Sequence, residues 1–251
     1  MVAIPTLGEV TTGLASMMSQ LVEGSLHPDS RFRFQRVWSE GARPVDYARN
    51  LMVQKFLASD CDRLWFMDAD TVPPPDVVKL LNVDADIVSG VTPTWGNQFA
   101  NEPPAPGYTI YAYDETQRGM LHRPVYNDGI EDVDGVGTAM MLIKRHVLED
   151  RRLWQHPGYI AFDGTPSEIG DDDAPPVFRE VRKPNGQLDI SEDLDFCFRA
   201  KRLGYRIAVH HGAKCHHHKR VDVLAVIDWG LRHAESVIEE QHEAAPLTAP
   251  A

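Results

Sequence analysis

Arg63-Leu64-Trp65-Phe66-Met67-Asp68-Ala69-Asp70 is a short apolar run that ends in two carboxylates one residue apart. A run of this length reads as a buried strand of a helix-covered, mostly parallel sheet. Pro73-Pro74-Pro75 follow at once, and neither a helix interior nor a central strand accepts them. They mark a turn, and Asp76–Leu81 (DVVKLL) opens the next helix. On a strand, positions i and i+2 point the same way, so Asp68 and Asp70 can both reach one ion, directly or through water. In open parallel sheets, ligands sit beyond the C-terminal strand ends, which is where this pair lies. Asp-X-Asp alone is a common pattern, recurring at Asp84–Asp86 and Asp193–Asp195. Loop carboxylates that cap the following helix would use the same residues.

Upstream, Met1–Pro5 reads as a first buried strand. Leu14, Met17, Met18, Leu21 and Val22 give Thr11–Glu23 a helical stripe. Arg31–Val37 alternates as a half-exposed strand would, and Pro44–Ala58 reads as a second helix. Downstream, Ile87–Val91 is another buried strand, so the first 90 or so residues alternate strand and helix. Residues 93–132 are irregular, with hairpin-like pieces around Tyr108–Tyr113 and Leu121–Tyr126. Val136–Lys144 reads as a core strand and His146–Leu153 as a helix. Ser191–Leu203 has an N-cap residue, acids in its first turn, bases in its last and Gly204 as a stop. Tyr205–Val209 is a strand. The stretch 163–176 carries five carboxylates with Gly and Pro, and reads as a loop able to close over a ligand. We expect one α/β domain over 1–238, with halves 1–92 and 93–238, and a tail at 239–251.

The chain has 251 residues, 43% of them hydrophobic and 25% charged, as a globular protein would. The formal charge of −12 argues against a long nucleic-acid surface, while leaving local basic strips such as RFRFQR, KRLGYR and KCHHHKR. Three scattered cysteines, Cys61, Cys197 and Cys215, make no disulfide framework and suit a reducing, cytoplasmic setting. No secretory signal is visible, and no apolar run approaches the ~20 residues of a membrane span.

Two further segments carry chemistry. Glu192 and Asp193 open the helix after Ser191, beside Leu194, Asp195, Phe196 and Phe198. Capping explains acids there, but a carboxylate so placed can also take a proton from an attacking hydroxyl. His210, His211, His216, His217 and His218 lie within nine positions after a strand. His is a common ligand of borderline cations, and the alternative is a solvated, pH-sensitive edge. Structural zinc is disfavoured, because Cys-X2-Cys is absent.

Together, VAIPT (2–6), YARNLMVQKFL (47–57), DRLWFMDADTVPPPDVVKLL (62–81), GVGTAMMLIKR (135–145) and SEDLDFCFRAKRLGYRI (191–207) resemble the GT-A-fold glycosyltransferases, family 2-like, of bacterial or bacteriophage type. The resemblance implies a Rossmann-like, mostly parallel sheet with helices on both faces and a smaller irregular acceptor side. It implies that Asp68, Ala69 and Asp70 form the metal and donor motif, holding Mn²⁺ or Mg²⁺, with Asp70 the more direct ligand. It places Pro5, Thr6, Glu9, Arg49 and Asn50 at the nucleotide, and Gly137 and Thr138 beneath the sugar and acceptor. Asp193 falls where the base stands, with Glu192 beside it. His217 falls where a histidine closes the metal site, His216 or His218 if the register slips. Two departures stand out: Ala139 and His216 occupy positions where relatives often carry Gly.

The function so implied is inverting transfer from a nucleoside diphosphate sugar, a UDP-sugar by expectation, to an acceptor hydroxyl on a glycan or a hydroxylated DNA base. Two alternatives compete. A sugar-nucleotide nucleotidyltransferase would want a basic, Gly-rich loop after the first strand, which PTLGEVTTG lacks. A non-catalytic nucleotide-sugar-binding protein would not need both carboxylate pairs.

Overall fold

The computed structural model describes residues 1–6, 9–40, 44–96, 105–114, 119–154, 176–218, 226–227 and 229–231. The expected tail at 239–251 and the loop at 163–176, save its last residue, lie outside them. In chain order the principal elements are β1 (Val2–Thr6), α1 (Thr12–Leu26), β2 (Arg36–Glu40), α2 (Val45–Leu57) and β3 (Arg63–Phe66). There follow β4 (Ile87–Val91), β5 (Ile130–Asp132), β6 (Met141–Lys144), α3 (Arg145–Glu149), α4 (Glu192–Arg202) and β7 (Ile207–Lys214).

The seven strands form one sheet in the order β5-β7-β4-β6-β3-β1-β2. β1 is parallel to β2 and to β3, and β4 is parallel to β7. Only β6, between β3 and β4, and the edge strand β5 run the other way. The fold is therefore mixed α/β with a mostly parallel central sheet. Insertion of β6 from residue 141 onward between β3 and β4 interleaves the two expected halves.

Strand alternation builds two cores. Leu64 and Phe66 face α2, α3 and α4 with Met52, Phe56, Val147 and Phe196, while Trp65 and Met67 face α1 and Val77–Asn82 with Leu14, Met18 and Leu80. Each fully buried side chain of this kind contributes about 1.5–3 kcal/mol. Asp68 continues the register of Leu64 and Phe66, so it emerges on the α2 and α4 side.

Several expected elements are corrected. The strand at 31–37 forms only from Arg36, because β1 begins its pairing at Val2 with Arg36 and offers Arg31–Phe34 no partner. Val136–Lys144 is not one strand: Gly135–Val136 pairs with Ile110–Asp114, Thr138–Met140 is a 3-10 turn, and only Met141–Lys144 joins the main sheet. The helix after the prolines is a 3-10 turn, Val77–Asn82. Pro5 lies inside β1 rather than ending it. Its missing N–H falls on the β3 side, where pairing has already stopped at Ala3.

The chain divides into two compact units, one of Met1–Pro93 with Tyr108–His218 and one of Thr94–Gly107 with Lys219–Ala251. The first holds the sheet and every candidate site residue. Within the second, the Trp95 ring meets Trp229 edge-on at 5.9 Å.

Candidate active site

The carboxyl end of β3 gathers most of the candidate residues. Asp68 leaves the strand with its N–H donating to the Ala139 carbonyl at 3.2 Å. The loop is also tied to β1's far end: Thr11 N–H donates to the Ala69 carbonyl at 3.0 Å, and Thr11 caps α1 by accepting from Leu14 N–H. Gly13 lies in this corner because any Cβ there would come within 2.7 Å of Val72 Cγ1. Thr6 donates to the Glu9 carbonyl at 2.7 Å, which shapes the loop after β1, while Glu9 itself is exposed.

The histidine register is resolved by strand pairing. His216–His217 runs antiparallel to Thr71–Val72, and His218 N–H donates to the Asp70 carbonyl at 2.8 Å. This brings His217, its side chain only 5% exposed, to Asp70, while His216 and His218 face solvent. His217 Nδ1 stands 2.7 Å from the Pro93 carbonyl oxygen, an acceptor only, so Nδ1 carries the proton. Nε2 is buried without a hydrogen-bond partner, 3.3 Å from Asp70 Oδ1. A lone pair facing a carboxylate oxygen is repulsive unless a cation or proton lies between them. A backbone carbonyl that fixes the histidine tautomer is the usual second layer of a metal site.

This donor set fits a divalent ion, but incompletely. Among the described residues no three His, Cys, Asp or Glu groups converge on one point. Mg²⁺ and Mn²⁺ sites commonly use one or two carboxylates and leave the remaining positions to water and phosphate. Cys215 is close by, its thiol donating to the Thr92 hydroxyl oxygen at 3.5 Å; burial, the largest cause, pushes the thiol up to about 11, with Asp68 and Asp70 adding to the rise.

Arg49 joins the Asp68–Asp70 corner to α4. Its Nη2 stands 3.3 Å from Asp68 Oδ1, and its Nη1 closes on Glu192 Oε1. The guanidinium is 4% exposed and Glu192 7%. No local pattern signals that Arg49 and Glu192, 143 positions apart, meet. Asp193, one residue on, is half-buried, with Oδ1 taking both the Ser191 hydroxyl and the Leu194 N–H. Ser191 occupies the N-cap position but turns its hydroxyl to Asp193 and makes no capping bond. Asp193 borders the small sheet that holds Tyr111: burial, then the Asp193 charge, pushes the Tyr111 phenol well above its usual range. Tyr111 also packs on His122 with ring centroids 4.7 Å apart.

Two assignments are corrected. Asn50 does not face a ligand. It is fully buried, and its amide accepts from Val177 and Phe178 N–H at 2.9 Å and donates to the Phe178 carbonyl at 2.7 Å. Glu192, spent on Arg49, is not a free base. Asp195 is structural, holding Arg199 at 2.8 Å and Arg179 at 3.2 Å. Gly137 and Thr138 form the buried turn before β6, where a Cβ on Gly137 would crowd Thr109 at 2.8 Å. Ala139 in turn holds Asp68 through its carbonyl.

Three cations of the basic strips are paired inside the chain. Arg33 bonds the Ser25 and His27 carbonyls, Lys201 pairs with Asp134 at 3.1 Å, and Arg206 pairs with Asp132 at 2.8 Å. A cavity of about 320 Å³ lies at the opposite end of the sheet, between Met1, Phe32, Phe34, Arg63 and Trp65. None of the candidate residues lines it. Among the described residues, no helix is long and apolar enough to cross a membrane.

A mostly parallel sheet with acidic groups beyond the end of its inner strand β3 and a helix bearing carboxylates beside it matches the GT-A glycosyltransferase fold. The chain belongs to the Glycosyltransferase like family 2, whose model matches residues 45–234. No curated protein matches it. Among solved structures, A197 from STIV aligns with TM-score 0.51 at 20% identity, over 87% of this chain and 85% of A197, a likeness of fold. GalNAc-T7, solved with UDP, GalNAc and Mn²⁺, gives TM-score 0.48 at 10% identity, over 88% of this chain but only 44% of its own. The inositol-1-phosphate CTP transferase from T. maritima gives 0.36 at 14% identity, over 86% and 88%. Family membership decides against the nucleotidyltransferase alternative.

Proposed function

We propose that this chain moves a sugar from a nucleoside diphosphate sugar, a UDP-sugar, to an acceptor hydroxyl with inversion, using a divalent ion. The observation that carries the reading is His217 Nε2, buried without a hydrogen bond and 3.3 Å from Asp70 Oδ1 beyond the end of β3. Asp70 and His217, with Asp68 reaching through water, would hold Mn²⁺ or Mg²⁺. A divalent ion bound there supplies charge to stabilise the departing diphosphate.

The remaining work falls to the chain's own groups. The loop with Thr6 and Glu9, tied to Ala69 through Thr11, offers the nucleotide an edge. Gly137 and Thr138 form the floor on which the sugar rests. Asp193, with Oδ1 saturated by two donors, presents its other oxygen to take the acceptor proton as the hydroxyl attacks from the opposite face. The internal pairing of Arg33, Lys201 and Arg206, with the formal charge of −12, weighs against a DNA phosphate track through those residues. A glycan hydroxyl is therefore the acceptor class we favour.

UDP release from UDP-glucose and UDP-N-acetylglucosamine, with and without Mn²⁺, tests the reading. Turnover should require the ion and disappear in EDTA and in Asp70→Ala. With an acceptor found by screening, Asp193→Asn should bind donor but transfer about 10²–10⁴-fold more slowly. Full activity in EDTA would remove the metal from the account.

A further inference from the structure

We infer that Arg49 is a positioning residue that couples donor binding to the helix carrying the candidate base, because Asp68 and Glu192 share its guanidinium. The inference rests on the donor-binding reading above. Arg49 is nearly buried and cannot lose its proton, so its charge must be met by the two carboxylates it touches. Asp68 belongs to the end of β3, beside the proposed ion. Glu192 is the first residue of α4, and Asp193 follows it. The two arms of one rigid fork thus span the donor side and the base side of the site.

The sharing has a consequence for binding. When Asp68 turns towards a cation, its hold on Arg49 weakens. The guanidinium then leans on Glu192 and steadies the start of α4, with one arm released towards a phosphate oxygen. Coupling of this kind is reciprocal, so a change at Glu192 must be felt in donor affinity. An ion pair serving stability alone would leave that affinity untouched.

Titration of UDP with Mn²⁺ into wild type, Glu192→Gln, Arg49→Lys and the double variant reads this directly, with melting temperatures recorded for each. Without the Glu192 charge, Arg49 concentrates on Asp68, and UDP affinity should fall about 5- to 50-fold. Lysine reaches only one carboxylate, so in the Arg49→Lys background the Glu192 change should add less than about twofold. Hydrogen exchange at Asp193 and Leu194 should slow on adding UDP and Mn²⁺ to wild type, but not to Arg49→Lys.

Wild-type-like affinity in Glu192→Gln overturns the inference and leaves the donor reading standing. So does the same loss in both backgrounds. Absence of UDP binding by wild type with Mn²⁺ overturns both. Should Glu192→Gln fail to fold, Glu192→Asp, which withdraws the carboxylate by one methylene, enters the same cycle and is read the same way.

Discussion

His217 differs from its neighbours by two facts: its Nδ1 proton is committed to Pro93, and its Nε2 makes no hydrogen bond but stands 3.3 Å from Asp70 Oδ1. His216 and His218 alternate to the solvent side of the same short strand. The histidines are therefore not interchangeable, although in the sequence they are equivalent. His217→Ala should lower Mn²⁺-dependent UDP binding by at least about 10-fold, the scale of loss seen even for residues that only support a metal ligand. His216→Ala should leave it unchanged. Calorimetry on the two variants separates them, and equal behaviour would remove His217 from the site. The same scale explains Asn50. It stands beside Arg49 in sequence, but on a helix adjacent positions point about 100° apart, so Asn50 staples the backbone at Val177–Phe178 while Arg49 reaches the site.

At the scale of elements, the decisive feature is the irregularity in β7. His210 pairs with Gly90, yet the next register partner of Val91 is Lys214, so three residues are looped out. Cys215 N–H then bonds the Val91 carbonyl at 3.1 Å, and the chain turns back along Thr71–Val72. Without that looped-out segment, a straight β7 would not carry His217 back to Asp70. Gly90 permits it, since a Cβ there would overlap the Ala213 carbonyl oxygen and the Met140 methyl. Gly90→Ala should therefore cost about 1–3 kcal/mol or more in urea unfolding. It should also weaken Mn²⁺–UDP binding, although residue 90 bears no ligand atom. A neutral outcome in both would show that the looped-out segment is not held by this contact.

For the whole molecule, the proposed ligands come from β3, α2, α4 and the segment after β7, so donor binding ties together elements distant in sequence. Ligand that binds only the folded chain stabilises it by mass action. UDP with Mn²⁺ at 100 times its Kd should add about 2.7 kcal/mol, visible as a raised melting temperature that EDTA reverses. The same additions to Asp70→Ala should produce no shift. Much of the architecture was legible beforehand because strand and helix periods are local: RLWFM, IVSGV, the α1 stripe and the acidic start of α4 each declare themselves within a few residues. The position of Asp68 and Asp70 at a strand tip followed from the same local pattern. Non-local pairing decided the rest. Whether Arg31–Phe34 becomes strand depends on what lies beside it, and the same holds for the break of 136–144 into three pieces. Which histidine meets Asp70, and that Arg49 bridges Asp68 to Glu192, depend on contacts across more than a hundred residues. Residue type and spacing fix which groups are available for chemistry, but only close packing of the folded chain sets which of them are consumed by neighbours and which are left for a ligand.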